Sequence, residues 1–294
     1  MSSRARRRRF DLVPWLFLAP ALILFLYFKF IPMAQGLKMS FFEVRTYLGD
    51  RWVGMDNYRQ IVTDDRFTNA IKNTVLLAAA TTVGSMALGL LLALLVEGKA
   101  RHLWFVRTAA FIPVVTTLAV VAEVWRIMYY PGADGPVNSI LAWFFIGPQH
   151  YIDHEDTALL SLVGVNIWRG APYDMMIFVA GLAGVDRSLY EQAAVDGAAT
   201  WRRFLHVTVP ALRPVFAILF TLAAIRGLRV FTEVFTMTNG GPNGSTEVLM
   251  TLIYKLGLQQ GYLGVAAAGS IVLFVATVIL TIIVRGLYRK DARA

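Results

Sequence analysis

Six apolar stretches leave this chain few ways to fold. They cover residues 12–31, 73–96, 106–128, 158–181, 214–235 and 266–287, and each reaches or approaches the ~20 residues that cross a bilayer as a helix. Backbone groups cannot stay unpaired in lipid, so each stretch is predicted to be helical. The chain has 294 residues, 57% hydrophobic and 16% charged, against about 25% charged in a soluble domain. The expected fold class is therefore all-α, a polytopic membrane protein with six transmembrane helices. A net charge of +9 does not signal nucleic acid, because the cations gather in short loops between apolar runs. The absence of cysteine excludes disulfides and thiolate metal sites.

The cations set the expected orientation. The first apolar run follows Arg4, Arg6, Arg7, Arg8 and Arg9. It is too long for a signal-peptide core, and Ala19 and Ala21 lie inside it around Pro20, so it is read as an uncleaved span. Alternate segments then hold sixteen cationic residues on one side against eight on the other, and the positive-inside rule makes both termini cytoplasmic. The expected layout is a basic cytoplasmic N-terminus (1–11), a first span (12–31), an outer loop (32–72), a core of five further spans (73–287) and a cytoplasmic tail (288–294). The core includes a cytoplasmic loop at residues 186–213.

That loop is polar and amphipathic between two strongly apolar runs. Ser188 can cap a short helix running to Asp196, and Gly197 allows the chain to turn. A second helix is predicted from Ala199 to His206, with Trp201, Phe204 and Leu205 as apolar anchors and Pro210 and Pro214 limiting its extension. Arg202, Arg203 and Arg213 ring it. Periodicity leaves two readings open: a handle gripped by another protein, or a helix lying on lipid headgroups.

Charged groups also fall inside the spans. Arg226, Arg229 and Glu233 recur at i, i+3 and i+7 and share one helical face. Facing lipid at mid-membrane, each would cost about 2.5–3.5 kcal/mol, so the stripe must meet a watery cavity, a partner subunit or opposite charge. Glu123 and Asp174 are candidate partners. An internal ion-pair network, a solute track and a subunit contact all remain open, and the two arginines could also recognise an anionic group such as phosphate. Lys29 lies near the outer end of the first span and can snorkel.

The cytoplasmic loop resembles a known signature. Glu191-x-Ala193-x-x-Asp196-Gly197-Ala198, with Ala194 inside it, is followed at fixed spacing by Val207 and Val209-Pro210. This is similar to the EAA motif of binding-protein-dependent ABC importer permeases, with Gln192, Val207 and Val209 as mild departures. Further stretches resemble the maltose-type, carbohydrate-uptake branch and the first of its two permeases. They are Val165-Asn166-x-Trp168-x-Gly170-x-Pro172-Tyr173, Ala180-Gly181-Leu182, Thr238-Asn239-Gly240-Gly241-Pro242 and Gly54-Met55-Asp56-Asn57-Tyr58.

The resemblance implies the type I importer permease fold and half of a heterodimeric pore. It implies as partners a second permease, two ATP-binding subunits and an extracytoplasmic solute-binding protein, in the prokaryotic cytoplasmic membrane. It assigns Glu191, Ala193, Ala194, Asp196, Gly197, Ala198, Trp201, Phe204 and Pro210 to contact with the ATPase. It assigns Asn166, Trp168 and Gly170 to the solute pathway, and the charged stripe of Arg226, Arg229 and Glu233 is expected to share that pathway. A tryptophan face stacks on sugar, an amide pairs hydroxyls, and glycine allows close approach; interhelical packing is the other reading of Trp168. Arg169 is placed on a different face from Asn166 and Gly170. Val114 and Leu118 stand where the maltose protein carries a hydroxyl.

No cofactor is expected and no enzymatic activity. Gly98-Lys99 is followed by Ala100, and Ala93 stands where a phosphate-binding loop needs its first glycine. His150, Asp153 and His154 lack a third rigid ligand, so no metal site is expected. The solute is expected to be a sugar or sugar-like molecule. The alternatives are a phosphorylated glycerol compound, or a proton-coupled secondary transporter using Glu123 and Glu233, although no symmetry between halves supports the latter.

Overall fold

A computed structural model describes residues 12–45, 47–98 and 101–291. The arginines of residues 1–11, Lys99 and the last three residues of the tail lie outside the described residues. Helices dominate, with one two-residue antiparallel ladder, Phe42–Glu43 against Arg51–Trp52. Among the described residues, four helices are long and apolar enough to cross a membrane (Pro14–Met39, Asp65–Leu95, Arg213–Met237 and Leu263–Val284), and the bent pair Leu103–Val115 and Leu118–Met128 makes a fifth if it is one crossing. The remaining expected span is the helix Glu155–Ala183. Asn166, Arg169 and Asp174 lower its hydropathy.

Asp65–Leu95 is the spine. It packs most extensively on Glu155–Ala183 and next on Arg213–Leu228. Its 31 residues rise about 46 Å at 1.5 Å each, enough to cross the hydrocarbon layer and emerge. Asp64 starts it by accepting the Arg66 backbone N–H at 2.9 Å, a usual N-cap. Arg107 closes its other end by donating to the carbonyls of Val96 and Gly98. Three apolar clusters stack along the spine, around Phe67 and Leu252, around Leu77 and Val165, and around Ala93 and Phe178. Glycines let the helices touch. A Cβ on Gly89 would lie 2.9 Å from the Ala171 carbonyl oxygen, and one on Gly227 would lie 2.6 Å from Ala78 Cα.

The stretch expected to be an outer loop is more structured than a loop. The first helix continues past residue 31, through a π-helical turn at Leu26–Phe30, to Met39. The helix Asp56–Thr63 then follows the ladder. Asn57 ties these parts together by donating to the carbonyls of Ser40 and Phe42 at 2.9 and 3.0 Å. The turn after Met237 is held to the spine by Asn69 and Asn73, which donate to the Gly244 carbonyl at 2.7 and 3.2 Å.

Two expected spans are interrupted. The third bends by 95° at Thr116–Thr117, where Val114, Val115, Thr116 and Thr117 form a β-branched run just after Pro113. Stiff side chains and a missing N–H both weaken a helix. The fifth stops at Leu228 and restarts as Thr232–Met237, with Phe231 at φ −142° between them.

Candidate functional site

The interruption of the fifth span opens a cavity of about 610 Å³ between it, the spine and Glu155–Ala183. Asn166, Gly170, Arg226, Arg229 and Glu233 line it. Five of the six pathway residues expected from the sequence thus share one space. Trp168 does not. It lies in an apolar cleft at the third-span bend, edge-on to Trp125 with ring centroids 5.4 Å apart.

Arg169 corrects the expectation: it lines the cavity beside Asn166 and Gly170. Spacings of three and one residues put 166, 169 and 170 on one helical face, whereas two residues rotate Trp168 by about 200° from Asn166. Tyr173 completes that face. Thr81, Thr82 and Ser85 line the cavity from the spine. Sequence reasoning passed over them, though hydroxyls at helical spacing in an apolar run are the available signal. Val114 and Leu118 line the wall with apolar side chains.

Asp174 organises the charges. It is fully buried. One carboxylate oxygen accepts from the Arg226 guanidinium at 2.6 Å and the other from the Ser85 hydroxyl at 2.7 Å. Three helices are joined through one side chain. Arg226 also lies 4.8 Å above the Tyr173 ring, a cation–π distance. Glu123, the other expected partner, pairs instead with Arg126 at 2.6 Å. Glu233 is buried within electrostatic reach of Arg169. Asn166 donates to the Leu162 carbonyl at 2.9 Å, leaving its amide oxygen free to accept. A Cβ on Gly170 would meet Ser85 Cβ at 3.2 Å, so close helix contact is a second reason for that glycine.

The segment expected to be cytoplasmic is a bent pair of helices. Arg187–Val195 is capped by Asp186, not Ser188: the Asp186 carboxylate accepts the Ser188 N–H at 2.9 Å. That bond holds the Asp186 carboxyl below the usual carboxylate range. Gly197 turns the chain at φ +74° with open space around it. The second helix begins at Thr200, with Ala199 as its cap, and does not stop at His206. A π-helical turn at Phe204–Thr208 carries it to Val209–Ala211, because Pro210 falls in the first turn of that piece, where its missing N–H has no consequence. Trp201 stacks on Phe204 at 5.3 Å, and Tyr190 joins Thr208 through their hydroxyls at 3.0 Å. Leu189, Val195 and Trp201 are exposed. Among the described residues no group of three or more metal-ligating side chains forms.

Residues 85–290 match the family model described as the binding-protein-dependent transport system inner membrane component. The chain belongs to this family. The permease is 31% identical over 276 residues to the probable ABC transporter permease protein YurN of Bacillus subtilis, covering 92% of this chain and 94% of that one. It is 31% identical to the multiple sugar-binding transport system permease protein MsmF of Streptococcus mutans, covering 94% and 95%. It is 33% identical to the sn-glycerol-3-phosphate transport system permease protein UgpA of Agrobacterium fabrum, covering 92% of each. A chain of a bacterial ABC transporter involved in the import of the acidic polysaccharide alginate superposes with a TM-score of 0.83 at 27% identity, covering 95% and 96%. The permease is therefore a polytopic component of the inner membrane with the type I importer fold.

Proposed function

We propose that this permease forms one half of the pathway by which a saccharide, delivered by an extracytoplasmic binding protein, crosses the membrane at the cost of ATP hydrolysed in two partner subunits. The names of MsmF and of the alginate importer support the solute class, and the alginate system has also been solved with an oligosaccharide-bound periplasmic protein. Six crossings, with Glu155–Ala183 as the fourth and both termini cytoplasmic, fit the distribution of cations. The permease itself is not an enzyme; its relatives are the membrane subunits of such systems.

One observation carries the mechanism. The cytoplasmic elbow joins the two helices that wall the cavity: Glu155–Ala183 enters it and Arg213–Leu228 leaves it. A force on Leu189, Val195 and Trp201 therefore acts directly on Asn166 and Gly170 through one helix and on Arg226 through the other. Asp174 and Arg226 tie those helices, so they move together rather than slide apart. Closure of the ATPase pair pushes the elbow, and the walls rock between inward-open and outward-open arrangements. Solute passes the polar wall of the cavity, whose open side faces the second permease.

Proteoliposomes holding both permeases, the ATPase subunits and the binding protein provide the test. ATP-dependent uptake of an oligosaccharide is expected. Uptake driven by a pH gradient with the ATPase omitted contradicts the proposal.

A further inference from the structure

Resting on the importer reading, we infer that the cavity selects an acidic saccharide, a sugar chain bearing carboxylate groups. Three arginines line the cavity, Arg169, Arg226 and Arg229, against one acidic residue, Glu233. Asp174 lies behind the wall and engages Arg226. Three cations thus face two carboxylates. Among the described residues, neither Arg169 nor Arg229 forms a salt bridge. Arg169 Nε is buried and has no hydrogen-bond partner.

Arg229 is exposed and carries no ion pair of its own, so its charge is open to a solute carboxylate. The guanidinium fork matches a carboxylate with two parallel hydrogen bonds. The wall also has partners for hydroxyls. Asn166 lines the cavity, and its amide oxygen is free to accept. About 610 Å³ on this half alone falls in the range of sites for whole organic ligands rather than single ions. Anion recognition, hydroxyl recognition and room combine in a uronate oligosaccharide. A phosphorylated polyol shares only the anionic part.

The test uses the full complex in proteoliposomes with three probes: a galacturonate oligosaccharide, the same oligosaccharide with its carboxyl groups reduced to alcohols, and sn-glycerol 3-phosphate. ATP-dependent uptake of the galacturonate is expected to exceed that of the reduced analogue. Arg229→Gln and, in a separate protein, Arg169→Gln are expected to lower the ratio of the two rates about tenfold, the effect of losing one charge-assisted hydrogen bond. A general loss of stability would reduce both rates and leave their ratio unchanged, so an unchanged ratio overturns the inference. So does equal or greater uptake of the reduced analogue, absence of galacturonate uptake, or uptake of sn-glycerol 3-phosphate alone. Uptake that persists without the ATPase subunits defeats the importer reading itself.

Discussion

Asp174 shows how one side chain can set both stability and chemistry. It has no exposure to solvent and holds one partner on each of two neighbouring helices. Removing one member of a buried ion pair costs about 3–5 kcal/mol, and the 40% exposure of the Arg226 side chain places this pair at the low end. Asp174→Ala is therefore expected to destabilise the detergent-purified permease by about 3 kcal/mol in thermal unfolding, and Asp174→Ala with Arg226→Met by clearly less. Equal losses in the single and double variants would remove the pair from the account. Trp168 belongs to a different environment. Its contact with Trp125 is worth about 0.5–1.5 kcal/mol, so Trp168→Ala is expected to lower the unfolding temperature while leaving half-saturation by solute unchanged. Asn166→Ala is expected to do the reverse, as uptake titrations can show.

At the scale of elements, the elbow depends on Gly197. Its φ of +74° costs an L-residue about 1–2 kcal/mol, although no neighbour lies close enough to clash. Gly197→Trp is expected to insert and assemble while uncoupling ATP hydrolysis from uptake, and normal transport by this variant would remove the lever from the elbow. The Asp186 cap adds a pH dependence. Its folded-state pKa is lowered, so the stabilisation is complete above the ordinary carboxylate range and is lost as pH falls through the lowered value. Asp186→Ala should abolish that acid-side dependence in hydrogen exchange of Arg187–Val195. Helix positions were legible in the sequence because lipid demands long apolar runs. The breaks at Thr116–Thr117 and after Leu228 were not: the first falls within a largely apolar run and the helical spacing of Arg226, Arg229 and Glu233 continues across the second, so no change of period marks where one helix ends. The cap at Asp186 lies two residues before the one expected, Ser188, since Asp and Ser serve equally well there.

For the whole molecule, the sequence placed Asn166, Gly170, Arg226, Arg229 and Glu233 on two helices, and folding brings them to one cavity. Helical rotation explains why Trp168 is left out and Arg169 is included. The spine hydroxyls Thr81, Thr82 and Ser85 were hidden because their role depends on which helices meet, a long-range fact no local pattern carries. The first helix shows the same dependence on partners: the most apolar 18-residue window of Pro14–Met39 holds no buried residue, so the packing surface of that window lies in lipid or on another subunit. The central claim is that the elbow transmits the ATPase motion to this cavity. The chain contains no cysteine, so Val195→Cys, at a position 88% exposed on the elbow, gives a single reporter. In the reconstituted complex it should crosslink to the ATPase subunit and change its crosslinking yield between ATP-bound and nucleotide-free states. A reporter that meets only lipid headgroups in both states, with no ATPase adduct, would contradict the claim.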